Sequence, residues 1–220
     1  MDRKIFITAT GTDTGKTYVS ALILKHLRES GINSGYYKPA LSGAYHSGGR
    51  LIPGDAEYVC SLSGLDVPPE TLVSYCFERA VSPHLAAVCE NRAIEMQKIS
   101  EDFKRISAEY EYMVIEGCGG IICPLRLDDK TIMLEDIIKL LGADIIIVAS
   151  AGLGTINSTL LTVEYARAKG IGIKGIVLNR YDEHNLMHTD NKRQIEKLTH
   201  LPVLACVPDN ADSINIDILN

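Results

Sequence analysis

The sequence predicts an α/β fold, a parallel sheet with helices on both faces, and three observations carry that expectation. Short apolar runs alternate with longer stretches whose apolar residues recur at helical spacing. Runs such as IFI at 5–7, DIIIVA at 144–149 and VLACV at 203–207 are nearly continuous in apolar residues, as strands buried on both faces must be. Strands and helices also follow one another without a linker, composition break or internal repeat, so residues 1–220 read as a single domain.

In chain order, Ile5–Ile7 forms the first strand. Gly11–Thr17 is a polar turn ending in Gly-Lys-Thr, and Val19, Leu22, Ile23 and Leu27 then give the period of a helix. Gly35–Lys38 is the second strand, closed by Pro39. Ala40–Gly54 reads as a long loop, which in a compact domain is more often functional than idle. Asp55–Leu62 is a short helix with Asp55 at its start. Ser82-Pro83-His84 opens another, since Pro suits a first helical turn. Ile94–Tyr110 is amphipathic, with Ile94, Ile99, Phe103 and Ile106 toward one face. The second half is more regular: strand Tyr112–Glu116, helix Leu134–Leu141, strand Asp144–Ala149, helix Thr155–Lys169, strand Lys174–Asn179, helix Asp190–His200 and strand Val203–Val207.

Composition narrows the function. A chain of 220 residues buries a core without staples, and with no Trp and three Phe that core leans on Ile, Leu, Val and Ala. A formal charge of −6 opposes dedicated nucleic-acid binding. No segment has the length of a membrane span. Asp2, Arg3 and Lys4, followed by a short apolar run, do not make a secretory signal, so a cytoplasmic protein is expected. The six cysteines contain no CxxC pair and sit mostly among apolar neighbours, as free thiols of a reducing compartment do. His184 and His188 are spaced i, i+4 but lack a third ligand, so they read as solvated.

Chemistry concentrates at one edge. In open parallel sheets ligands gather beyond the C-terminal ends of the strands. After the first strand, Thr10–Thr17 supplies backbone N–H groups, a helix N-terminus and the Lys16 ammonium, which together suit nucleotide phosphates, with the Thr17 hydroxyl placed for Mg²⁺. Lys38 and Ser42 follow the second strand and Asp55 the next loop. Glu116 ends an apolar strand before glycines, a position from which acids hold Mg²⁺ in phosphoryl-transfer sites. Gly152–Asn157 and Asn179 follow the later strands.

GTDTGKT, YKPALSG, GDA, SPH, VIEGCGG, GLGTIN and VLN, in this order from Ile5 to about Pro208, resemble the dethiobiotin synthetase family of P-loop NTPase type. Ala9 stands where that family's loop opens with Gly, and an additional Gly stands at 11. The resemblance implies an ATP- and Mg²⁺-dependent ligase of biotin biosynthesis that carboxylates 7,8-diaminononanoate with CO2 and closes the ureido ring. It implies that Lys16 and Lys38 flank the reacting groups, that Thr17, Asp55 and Glu116 hold Mg²⁺, and that Thr12 and Ser42 hydrogen-bond the carbamate or diamine. Nucleotide contacts are implied for Asp13, Thr14, Gly15, Lys16, Thr17, Tyr18, Asp55, Glu116, Gly117, Cys118 and Gly119. Asn179, Arg180, Val207, Pro208 and Asp209 would surround the base. Gly154, Thr155, Ile156 and Asn157 would receive the substrate carboxylate from the neighbouring subunit of a homodimer. The main rival, a switch or partitioning ATPase, typically carries a lysine early in the loop, where this chain has Gly11. An amidotransferase-type synthetase would need a further domain, and a purely binding module leaves Lys38, Ser42 and Asp55 without a role.

Overall fold

A computed structural model describes residues 3–219 of the chain. Strand β1 (Arg3–Ala9) runs into helix α1 (Lys16–Glu29) and returns as β2 (Ser34–Ser42). A short hairpin of β3 (Tyr45–Ser47) and β4 (Arg50–Ile52) precedes α2 (Gly54–Ser63). A 3₁₀ turn at Pro69–Leu72 leads into β5 (Val73–Phe77), then α3 (Pro83–Cys89), α4 (Met96–Ser107) and β6 (Tyr112–Glu116). A second hairpin, β7 (Pro124–Leu127) and β8 (Thr131–Met133), precedes α5 (Leu134–Leu141) and β9 (Asp144–Ser150). The chain continues through α6 (Thr155–Ala168), β10 (Ile173–Asn179), α7 (Leu186–Thr199) and β11 (Val203–Val207).

Seven of these strands form one parallel sheet in the order β11-β10-β9-β1-β6-β2-β5. β1 lies at its centre, and Ile5, Phe6, Ile7 and Ala9 are excluded from solvent. The chain steps one way across the sheet from β1 through β2 to β5 and then back through β6, β9 and β10 to β11, so right-handed connections put α1 and α2 on one face and α4 to α7 on the other. The expected architecture is therefore observed. The central position of β1 brings its outgoing loop between the ends of β6 and β9, where side chains from several strands converge.

Four local expectations are corrected. Pro39 does not close the second strand; β2 continues to Ser42. Pairing with β6 ends at Tyr37, while pairing with β5 takes up Lys38, Ala40, Leu41 and Ser42, so the N–H that proline lacks falls where no β6 partner remains. The expected loop 40–54 is accordingly shorter and carries the β3–β4 hairpin. Helix α2 starts at Gly54 with Pro53 as its N-cap, so Asp55 is inside the first turn rather than the cap. Likewise α7 begins four residues before Asp190, capped by Asn185, whose side chain accepts from the amides of Met187 and His188. Beyond β11 the chain packs back on the body: Ile214, Ile216 and Ile218 are buried, and the Tyr112 hydroxyl donates to the Ile218 carbonyl at 3.3 Å. The cysteines are free as expected, although Cys89 is exposed rather than apolar-packed.

Candidate active site

The loop after β1 is held by its own atoms. The Gly11 carbonyl accepts from the Lys16 ammonium at 3.2 Å and from the Thr14 hydroxyl at 3.3 Å. Gly15 heads α1 at φ 91°, and a Cβ there would meet Asn179 Nδ2 at 2.1 Å, so only glycine fits. Asn179, at the end of β10, donates that same Nδ2 to the Thr14 carbonyl at 2.9 Å. Arg180 donates to the Asp13 carbonyl at 3.0 Å. Ala9, where a glycine was expected, is fully buried at the end of β1 and stays out of the left-handed region, so its Cβ brings no strain.

Beside this loop opens a cavity of about 300 Å³, lined by Thr12, Asp13, Gly15, Lys16, Thr17, Lys38, Leu41, Ser42, Asp55, Glu116, Cys118 and Gly119. Its floor is a charge cluster. Side chains two apart on a strand share a face, so Tyr36 and Lys38 of β2 both reach Glu116 at the end of β6. The Lys38 ammonium lies 2.5 Å from Glu116 Oε1 and 2.6 Å from Asp55 Oδ2. The Thr17 hydroxyl donates to Glu116 Oε1 at 2.8 Å, and the Tyr36 hydroxyl to Glu116 Oε2 at 2.8 Å. Glu116 is wholly buried and Lys38 is 3% exposed.

Burial and charge pull these groups in opposite directions. Burial alone would lower the Lys38 pKa, but Glu116 and then Asp55 outweigh it and hold the ammonium well above its usual range. Lys16 is lowered, first by burial and then by the neighbouring Lys38 charge. Burial would raise Asp55, yet Lys38 keeps its carboxyl below the ordinary value. Two cations and two carboxylates therefore share one small cavity, in which the charges of Lys38 and Glu116, shut off from solvent, are worth more than they would be in water.

The donor chemistry suits a hard cation. Asp55 and Glu116 already converge on a single positive centre, and the hydroxyl of Thr17 sits on the same Glu116 oxygen. No cluster of three or more His, Cys, Asp or Glu that could hold a metal occurs among the described residues. Two carboxylates with one hydroxyl fit Mg²⁺, which keeps waters and phosphate oxygens in its shell, better than a caged metal.

The remaining expected residues lie around this centre. Gly117 donates its amide to the Ile7 carbonyl at 2.9 Å and holds the strand ends together. Tyr18 turns away, its hydroxyl donating to the Ala211 carbonyl of the C-terminal segment. Arg180, Pro208 and Asp209 line a separate, wider hollow with Tyr181, His188 and Cys206, and Val207 closes its strand by accepting from the Tyr181 amide at 2.9 Å. Gly154, Thr155, Ile156 and Asn157 do not reach the charged cavity. Asn157 lines a third hollow shared with Thr10, Thr12, Gly120 and Ile122, and Thr155 is turned inward against Thr159. Thr12 borders both the charged cavity and this hollow. Tyr36 was missed in the sequence, where only its spacing of two from Lys38 could have marked it. Cys123, whose Sγ is 3.9 Å from that of Cys118, was also missed.

With this geometry in view, the comparisons are specific. The family described as an AAA domain matches residues 3–217. The chain is 50% identical over 218 residues to the ATP-dependent dethiobiotin synthetase BioD of Clostridium botulinum strain Langeland, covering 99% of this chain and 96% of that protein. It is 51% identical over 210 residues to the same enzyme of strain Loch Maree, covering 96% and 92%. Among solved structures, the septum site-determining protein MinD of Pyrococcus horikoshii in complex with Mg-ADP aligns with a TM-score of 0.56 at 20% identity, over 96% of this chain and 82% of that one. A ParA family ATPase of Chlorobium tepidum aligns at 0.57 and 15% identity, over 96% and 87%. Likeness at that identity is one of fold, shared across P-loop ATPases of unlike function. Half-identity sustained over nearly the whole length is kinship of another order, and the chain belongs to the ATP-dependent dethiobiotin synthetase family.

Proposed function

We propose that this chain converts 7,8-diaminononanoate, CO2 and ATP into dethiobiotin, ADP and phosphate in biotin biosynthesis. The observation that carries the reading is the buried Lys38, held between Glu116 and Asp55 in the cavity it shares with Lys16, in a chain half identical to dethiobiotin synthetases. One substrate amine captures CO2 as a carbamate and releases a proton. A carbamate oxygen attacks the γ-phosphorus and ADP departs, leaving a carbamic–phosphoric anhydride. The second amine attacks the carbonyl carbon, phosphate leaves, and the ring is closed.

The residues act by position and charge. Lys16, with the amides of residues 13–18, cradles the phosphates. Lys38 neutralises the carbamate and the charge that accumulates as the γ-phosphoryl group moves. Thr12 and Ser42 hydrogen-bond the carbamate end. Thr17, Asp55 and Glu116 would hold Mg²⁺, which would screen the phosphate charges. Asn179, Arg180 and Val207–Asp209 frame the base. The helix start at Gly154–Asn157 takes the substrate carboxylate of a neighbouring subunit, so residues 1–220 work as one catalytic domain in a cytoplasmic homodimer. No helix among the described residues is long and apolar enough to cross a membrane.

The test is phosphate release from ATP and Mg²⁺, with and without 7,8-diaminononanoate and bicarbonate. Release that requires both, with a ring-closed product, supports the synthetase. Release indifferent to the diamine overturns it in favour of a nucleotide-driven switch.

A further inference from the structure

The wall of the charged cavity contains a chemistry that phosphoryl transfer does not use. Cys118 lines the cavity and is half-buried, whereas Cys123 lies behind it at 6% exposure. Their sulfurs are 3.9 Å apart, and no other two cysteines among the described residues come within hydrogen-bonding reach. The approach is built into the backbone. Gly119 adopts φ +62° and reverses the chain, and a Cβ on it would sit 3.5 Å from Cys123 Sγ. One sulfur therefore faces the substrate side while its partner waits on the core side, the arrangement of an attacked thiol and a resolving thiol.

We propose that Cys118 and Cys123 are a thiol modification site, closed to an intramolecular disulfide by small oxidants of the peroxide class. The Cys118 sulfur attacks a peroxide oxygen, the O–O bond breaks, one water departs and a sulfenic acid remains. The Cys123 sulfur then attacks the Cys118 sulfur, the S–O bond breaks and a second water leaves. Two thiols lose two hydrogens and two electrons, and hydrogen peroxide takes up both. A low-molecular-weight dithiol reverses the reaction by exchange.

The consequence for the site follows from position. A disulfide bond is about 2 Å long, so closure shortens the gap between the sulfurs by nearly half. Cys118 is two residues from Glu116, and the displaced segment carries the backbone between them. Misplacement on the order of 1 Å at a reacting centre costs roughly a hundredfold in rate. This effect on rate rests on the proposed function; formation of the disulfide does not.

The full chain is treated with hydrogen peroxide, alkylated and digested with trypsin. Cleavage after Arg105 and Arg126 releases one peptide, Ile106–Arg126, that contains both cysteines and no other. The expected result is that this peptide escapes alkylation and is lighter by two hydrogens before the peptides of Cys60, Cys76, Cys89 and Cys206 react. ATP with Mg²⁺ slows the change by covering Cys118, and dithiothreitol restores both the thiols and phosphate release. In Cys123→Ala, which keeps basal activity, Cys118 stops at a sulfenic acid that dimedone traps. Both thiols remaining alkylatable while other cysteines oxidise, or Cys118 pairing with a different cysteine, overturns the proposal. A disulfide that forms with phosphate release undiminished overturns its link to activity.

Discussion

Replacing Lys38 by alanine separates the ion pair from the cation site. Glu116 is wholly buried and would lose its charge partner, and breaking a buried pair from one side costs about 3–5 kcal/mol. Glu116 retains the Thr17 and Tyr36 hydroxyls at 2.8 Å, which places the cost at the lower end, about 3 kcal/mol. The Asp55 side chain is 41% exposed and adds little. For a chain of this size each kcal/mol moves Tm by roughly 2–4 °C, so Lys38→Ala should melt about 6–12 °C lower by calorimetry in EDTA near pH 7. The two carboxylates are then left without a shared cation, so added Mg²⁺ should recover at least half of the loss, a larger gain than in the parent protein. Nucleotide binding should persist while phosphate release falls on the order of a hundredfold. A Tm unchanged in EDTA would refute the energetic role of the pair. A large drop that Mg²⁺ does not repair would refute Asp55 and Glu116 as its ligands.

Three other substitutions probe neighbouring parts of the cluster. Glu116→Gln keeps the shape of the acid but removes its charge, and the Mg²⁺ concentration for half-maximal phosphate release should rise about tenfold or more, at about 1.4 kcal/mol per tenfold. Asp55 has a lowered folded-state pKa, so its contribution to stability is present above the unfolded carboxyl value of about 4 and lost as pH falls through the folded value. Thermal melts of Asp55→Asn should therefore lie below the parent near pH 7 and converge with it below about pH 4; a gap independent of pH would assign the effect to packing. Gly15→Ala places a Cβ 2.1 Å from Asn179 Nδ2 at a positive φ, and isothermal titration should show nucleotide binding lost. Adding Asn179→Ala relieves the collision but not the backbone strain, so binding should return only in part.

Much of this architecture was legible in the chain. Tyr112–Glu116, Leu134–Leu141 and Val203–Val207 stand where patterning puts them, because a buried parallel strand must be apolar throughout and a helix on its face must carry one apolar stripe. The edge strand Val73–Phe77 was missed. Its run is short and interrupted by Ser74, and an edge strand need not be apolar on both faces. Both small hairpins were missed for a related reason: three or four residues offer too few repeats for a period of two to show. At the site, the loop, Lys38 and Glu116 could be named because each stands at or just past an apolar run, although Lys38 lies within β2 and Glu116 is the last residue of β6. Their mutual contact could not, because it depends on strand order, and only the insertion of β6 between β1 and β2 brings Tyr36, Lys38 and Glu116 together.

That same insertion governs when the protein can become functional. β1 is made first, yet its two neighbours come from the second half of the chain, with Ile5 level with Val114 on one side and with Asp144 on the other. Contacts so distant in sequence form only after a large loop-closure entropy has been overcome, so β1 remains an unpaired apolar segment through much of synthesis. The phosphate loop is later still, since it is locked from behind by Asn179 at the end of β10. Nascent chains that stop short of that residue lack the hydrogen bond that fixes the loop from behind, and they should grip a nucleotide less firmly. ATP thus favours molecules whose sheet is assembled through β10, and by binding the native state more tightly it draws the last steps of folding toward completion.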